Sequence, residues 1–189
     1  MKVGLFGGSF DPVHLGHEEI IRAFLDSGIV DQLWVLPCKY QRGKNLVNCE
    51  HRMNMLELVV GKINGVKISG FELQEKKPLY TIDTLRKLRR LHDDEFLFII
   101  GSDLLYTLQT WHMYEELLKE VKFIVHKRKD YPFKRIQGLQ VEYFLERGFK
   151  EISSTEVGEK IKKGQDFQHL VSSKVADYII KNNLYHDGI

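Results

Sequence analysis

The chain predicts an α/β fold, a doubly wound parallel sheet flanked by helices and closed by a small helical carboxyl segment. Three observations predict it. Strand-like apolar runs alternate with helical periodicity along the chain. The run Glu95-Phe-Leu-Phe-Ile-Ile100 is almost continuously apolar, as suits the centre of a parallel sheet with both faces covered. The first apolar strand passes through Gly7-Gly8 straight into a helix start.

Taken in order, Val3, Leu5 and Phe6 make the first strand, and Asp11-Pro12 a turn. Residues 15–27 carry Ile20, Ile21, Phe24 and Leu25 at helical spacing, with Gly28 as the stop. Residues 32–36 read as a second strand closed by Pro37. The polar, basic stretch 39–48, with Lys39, Arg42, Gly43 and Lys44, reads as a loop just past that strand, where open α/β sheets bind ligands. A helix over 49–62 buries Met53, Leu56, Val59 and Val60, and a brief strand follows at 66–69. Pro78 precedes a basic helix that opens at 80–85 and ends near Leu91, with the charges of 86–90 on its wet face. The apolar strand 95–100 runs into Gly101-Ser-Asp103. A short helix over 111–120, a buried strand over 121–126, a basic loop over 127–131 and a last strand at 141–144 follow. Ser153 to Glu156 has capping-box spacing, so a helix opens there and runs to about Lys163, with Gly164 ending it. The final helix is 172–182, with Val175, Tyr178 and Ile179 on one face.

Bulk properties bound the class. With 189 residues, 43% hydrophobic and 29% charged, the chain suits a single domain over 1–189 with an ample core. A net charge of +2 gives no support for nucleic acid held by bulk electrostatics. Cys38 and Cys49 are too few for a disulfide framework or a zinc site and suit reduced thiols of a cytoplasmic protein. No secretory signal and no membrane-spanning apolar run is visible. A homo-oligomeric state remains open.

The organising stretch is KVGLFGGSFDPVHLGH, residues 2–17. Two adjacent glycines let backbone approach a ligand closely. His14 and His17 lie three apart, so both imidazoles share one helical face. Helix-start N–H groups suit anions, and two imidazoles add donors. The combination is suited to holding phosphates.

Residues 8–17, GSFDPVHLGH, resemble the (G/T)xFDPxHxGH signature of the nucleotidyltransferase superfamily of adenylyl- and cytidylyltransferases. The resemblance implies a Rossmann-like domain that moves a nucleotidyl group from a nucleoside triphosphate and releases pyrophosphate, with the acceptor left open. EHRM at 50–53, YTIDTL at 80–85, IIGSD at 99–103, Trp111 and ISST at 152–155 follow the order found in bacterial nicotinate-nucleotide adenylyltransferases. Residues 175–185, ending in Leu184-Tyr185, are similar to that family's carboxyl end.

The implied reaction moves AMP from ATP to nicotinate mononucleotide, by direct attack of a phosphate oxygen and without a covalent intermediate. His14 and His17 would meet the triphosphate, with His17 at the reacting phosphate. Gly7, Gly8, Ser9 and Phe10 would line both nucleotides through backbone. Ser153, Ser154 and Thr155, at a helix start, would hold the β- and γ-phosphates, and Ser153 also suits an N-cap. Lys39 or Lys44 would neutralise phosphate. Asp103 would accept from a ribose hydroxyl, or cap a helix. Trp111 would stack on the pyridine ring, or pack as a core tryptophan. Thr81 and the backbone near His112 would meet the pyridine carboxylate or amide. Mg²⁺ would ride on the triphosphate, with no protein cluster resembling a dedicated cage.

Two departures stand out. The family's Arg three residues past the Thr of ISST is Gly158 here, with Lys160, Lys162 and Lys163 nearby. The family's PPHK loop is replaced by residues 37–44. Nicotinamide mononucleotide, phosphopantetheine or another phosphorylated acceptor is the alternative substrate. A nucleotide-binding regulator without catalysis is the alternative from another class.

Overall fold

A computed structural model describes residues 1–41 and 43–186. Among them six parallel strands form one sheet: β1 (Lys2–Gly8), β2 (Gln32–Pro37), β3 (Val66–Ile68), β4 (Glu95–Gly101), β5 (Lys122–His126) and β6 (Val141–Leu145). Their order is β3-β2-β1-β4-β5-β6, so the winding reverses between β1 and β4. The helices are α1 (Leu15–Asp26), α2 (Cys49–Val60), α3 (Phe71–Gln74), α4 (Thr81–Leu91), α5 (Tyr114–Glu120), α6 (Ser154–Lys162) and α7 (Ser173–Lys181).

The strand alternation sorts the core into two layers, because successive side chains leave a strand on opposite faces. Phe6, Leu33, Val35, Leu97, Ile99 and Ile124 join one cluster with residues of α1, α2, α6 and α7. Val3, Leu5, Trp34, Phe98, Ile100 and Phe123 join the other with residues of α4 and α5. Helices on both faces explain why Phe96 to Ile100 are all buried. The Ser153 hydroxyl accepts from the Glu156 N–H at 3.0 Å, as the capping-box spacing suggests, and Asn48, which the sequence reading did not single out, accepts from the Glu50 N–H at 3.0 Å.

Three stretches differ from the sequence reading. The helix expected over 111–120 begins only at Tyr114. Trp111 is extended and Met113 is left-handed at φ 51°, so the chain cannot wind before Tyr114. Residues 102–110 are taken up by two 3-10 turns, Ser102–Tyr106 and Leu108–Thr110. The four-residue α3 is too short to show a hydrophobic period, so no sequence pattern announces it. Arg86, expected on the wet face of α4, pairs with Glu116 and Glu120 at 2.5 Å and ties α4 to α5. No helix among the described residues is long and apolar enough to cross a membrane.

Candidate active site

Two cavities open at the carboxyl ends of the strands, on either side of the reversal between β1 and β4. Gly7, Ile99, Ile100 and Leu104 line both and so form their shared partition. The first encloses about 490 Å³, the second about 220 Å³.

His14 and His17 line the second cavity. His14 is the N-cap of α1 and His17 its third residue, so the helix start aims both rings the same way. The rings stack at 3.7 Å between centroids and 24° between planes. The His14 backbone N–H donates to His17 Nδ1 at 3.3 Å. That bond makes Nδ1 an acceptor and leaves the ring proton of neutral His17 on Nε2. Gly16 allows the packing: a Cβ there would lie 2.9 Å from the Lys150 carbonyl oxygen and 3.2 Å from the His14 ring. Phe10, expected to line both nucleotides through its backbone, is buried, rests on His17 at 4.9 Å and lines neither cavity. Burial, with Arg128 adding to it, lowers His14 to about 3. Burial, then the neighbouring His14, Arg128 and His126, holds His17 well below 6.5. Both rings are therefore neutral donors near pH 7 in the free protein.

The amino end of α6 faces the same cavity, because Ser153, Ser154 and Thr155 line it. Two helix starts thus converge on one space, each presenting unsatisfied N–H groups. The Ser154 hydroxyl donates to the Pro12 carbonyl at 2.9 Å and locks α6 against the opening turn. Of the two candidate lysines, Lys44 lines this cavity, with Nζ 3.5 Å from Thr155 Oγ1. Lys39 lines neither cavity and donates to the Glu75 carbonyl oxygen instead. Arg42 lies outside the described residues. Gly158 is in α6, where a Cβ would be 3.9 Å from the Tyr185 ring. Lys160, Lys162 and Lys163 do not line the cavity, and Lys163 pairs with Glu159 at 3.8 Å.

Ser9, Thr81, Trp111 and His112, four of the five acceptor-side residues expected from the resemblance, line the first cavity together with Gly8. Trp111 stands edge-on to Phe98 at 6.3 Å and 89°, half-buried, with one part in the core layer and one part on the cavity. His112 stacks on Tyr80 at 4.2 Å and 25°. Asp103 does not join them; it lies on the 3-10 turn after β4 and lines the second cavity.

Four groups escaped the sequence reading. Arg128 and His126, at the end of β5, line the second cavity. The strand-end rule that drew notice to residues 39–48 applies equally to 127–131 and would have found Arg128. Glu72 lines the first cavity and accepts from the Thr84 hydroxyl at 2.7 Å, its carboxyl pushed up by burial. Arg52 is 2% exposed and donates to three carbonyls: Val47 at 3.0 Å, Ser9 at 2.8 Å and Cys38 at 2.9 Å. It joins the turn after β1, the end of β2 and the loop before α2 into one frame. The EHRM segment at 50–53 carries the resemblance, yet nothing in it marks a buried guanidinium bound only to backbone.

A cytidylyltransferase-like family model matches residues 5–160. A protein of Geobacillus thermodenitrificans described as a probable nicotinate-nucleotide adenylyltransferase is 36% identical over 97% of this chain and 86% of its own length. The chain belongs to the cytidylyltransferase-like family and, within it, to the nicotinate-nucleotide adenylyltransferases. The nicotinate-nucleotide adenylyltransferase of Bacillus subtilis is 31% identical over 97% of this chain and 98% of its own. Among solved structures, the Plasmodium falciparum nicotinic acid mononucleotide adenylyltransferase complexed with NaAD superposes with a TM-score of 0.84. It is 27% identical, and 97% of each chain is covered.

Proposed function

We propose that this adenylyltransferase moves AMP from ATP to nicotinate mononucleotide, giving nicotinate adenine dinucleotide and pyrophosphate. One observation carries the assignment of roles. Two cavities of opposite chemistry, one aromatic and one lined by imidazoles, cations and helix starts, share a partition made by β1, β4 and Leu104 of the turn after β4. Two anionic substrates meeting at that partition would place acceptor phosphate against triphosphate. The relatives' names and the nicotinate dinucleotide bound to the Plasmodium protein support the acceptor.

The step needs no protein nucleophile. A phosphate oxygen of nicotinate mononucleotide attacks the α-phosphorus of ATP, the bond from that phosphorus to the β-bridging oxygen breaks, and pyrophosphate leaves. Positioning the two phosphates can supply up to ~7–11 kcal/mol of the barrier. The rest falls on donors fixed where charge grows. In this reading His17 donates from Nε2 to the reacting phosphate, and His14 stands beside it. Lys44, Ser153, Ser154 and Thr155 hold the β- and γ-phosphates, where the leaving group takes up charge. Trp111 stacks on the pyridine ring, while Thr81 and the backbone at His112 meet its carboxylate. Gly7, Gly8 and Ser9 let both nucleotides approach β1.

Magnesium belongs to the substrate side, entering as MgATP. Among the described residues no group of three or more His, Cys, Asp and Glu side chains could hold a metal. Asp103 is the carboxylate on the second cavity, a donor set that fits an ion carried by phosphates better than a resident one.

Pyrophosphate release with ATP tests the acceptor, using nicotinate mononucleotide, nicotinamide mononucleotide and phosphopantetheine in parallel. Turnover is expected to be highest with nicotinate mononucleotide. Absence of turnover with it, alongside turnover with another acceptor, would overturn the assignment.

A further inference from the structure

His126 is the last residue of β5, paired in register with Gly101 of β4, so the sheet delivers its ring to the floor of the second cavity. The ring is 4% exposed. Its Nδ1 is buried with no hydrogen-bond partner, although buried polar atoms are ordinarily paired. Phe24 and Phe149 stand edge-on to it at 6.4 Å and 5.6 Å and offer no acceptor, and the Lys127 backbone beside the ring makes no well-formed hydrogen bond to Nδ1. Space for the ring depends on a missing side chain. A Cβ on Gly101 would lie 3.3 Å from His126 Cε1, 3.2 Å from Arg128 Cγ and 2.2 Å from Asp103 Oδ1. Three polar side chains therefore close over one bare α-carbon at the cavity edge.

A histidine that served packing alone would have its nitrogens bonded or be replaced by an apolar ring. Here an imidazole with an orphan nitrogen lines a cavity whose cations are Lys44 and Arg128, and Arg128 shares its charge with Glu151 at 3.4 Å. We propose that His126 is a third imidazole of the triphosphate site, taking a proton from solvent as the anion binds and donating a ring N–H to a phosphate oxygen. The inference rests on the phosphate reading of the second cavity.

The charged and titratable groups around the ring are His14 and His17 from α1, Asp103 after β4, and Arg128 with its partner Glu151 beyond β5. In the free protein burial, then Arg128, lowers His126 to about 4 against the opposing pull of the Lys127 backbone, so it is neutral at pH 7. An anion placed beside it favours the charged form, which turns a neutral donor into a cation only when the ligand is present.

Titration calorimetry with inorganic tripolyphosphate tests this, run at pH 6.0 and 7.5 in buffers of different ionisation enthalpy. The wild type is expected to take up protons on binding and to bind more tightly at the lower pH. His126→Gln is expected to bind about tenfold more weakly at pH 6.0 and to take up roughly one proton fewer. Long-range ¹H–¹⁵N spectra of the wild type give the same answer without a variant: tripolyphosphate should move the His126 ring nitrogens toward the imidazolium pattern. Unchanged His126 shifts, or a folded His126→Gln protein with wild-type affinity and proton uptake, would overturn the role of His126 while leaving the phosphate site in place. Failure of the wild type to bind tripolyphosphate would overturn the phosphate reading and this inference with it.

Discussion

The two cavities share a wall and little else. The first is walled by Trp111, the Tyr80–His112 stack, Leu79 and Leu104, and it is set by 3-10 turns and the start of α4. The second is walled by three imidazoles, Lys44, Arg128 and the serines of α6, and it is set by two helix starts. Aromatic walls recognise a flat ring by contact area and shape. Helix starts and cations recognise charge, which needs no such fit. The contrast suggests a division of labour in which one side chooses the acceptor and the other carries the chemistry.

Removing the second cavity's central donor should separate those duties most strongly. His17→Ala is expected to lower kcat about 10³-fold, within the range for one lost donor at a developing charge. Steady-state pyrophosphate release should give a KM for nicotinate mononucleotide within about threefold of wild type, since the loss falls on the transition state. Near-wild-type kcat would show that His17 does not carry the reaction.

Arg52 ties Ser9 and Cys38 of the first cavity's lining to Val47, in the loop that carries Lys44 of the second. Arg52→Met leaves the Ser9, Cys38 and Val47 carbonyls without their donor. A loss of about 3 kcal/mol in urea unfolding is expected, with both substrates bound less well. An effect confined to one substrate would show that the frame serves one cavity only.

Acid should weaken the fold through the second cavity. His14 near 3 and His126 near 4 lie below the ordinary 6.5, so the unfolded chain binds protons first as pH falls. The contribution is fully present above about 6.5 and is lost between there and the folded values. Each imidazole should cost about 2 kcal/mol between pH 7 and pH 5. Asp11 and Glu72, pushed up by burial, act in the opposite sense, because the folded form takes their protons first. Urea unfolding at the two pH values should therefore show a loss in the wild type that is about 2 kcal/mol smaller in His126→Gln.

The smallest expected effect refills a gap. A Cβ at Gly158 meets only the Tyr185 ring at ordinary contact distance, so Gly158→Arg should fold. Replacing a glycine inside α6 should add about 0.5–1 kcal/mol of stability. The KM for ATP should fall a few-fold if the added guanidinium reaches the triphosphate, and an unchanged KM would place the position outside it.

The layering and most elements were legible because burial on both faces writes continuous apolar strands such as residues 95–100 and amphipathic helices between them. The histidine pair and the ISST segment were legible because each is local: a helix start and its own first turn bring them into position. The stretch 102–113 was not, since 3-10 turns carry no clear period and a left-handed Met113 leaves no mark in composition. Lys44 could not be told from Lys39 because the choice depends on Glu75 and Thr155, far away in the chain. His126 and Arg52 stayed hidden for a related reason, as their meaning lies in what surrounds them once the sheet is assembled.

The crossed Michaelis constants of Trp111→Ala and Lys44→Ala test the division of labour most directly. Trp111→Ala is expected to raise the KM for nicotinate mononucleotide about tenfold, the scale of one lost aromatic stack, and to leave that for ATP near wild type. Lys44→Ala is expected to do the reverse. If either variant raised both constants to the same extent, the two cavities would not be separate recognition sites and the account would fail.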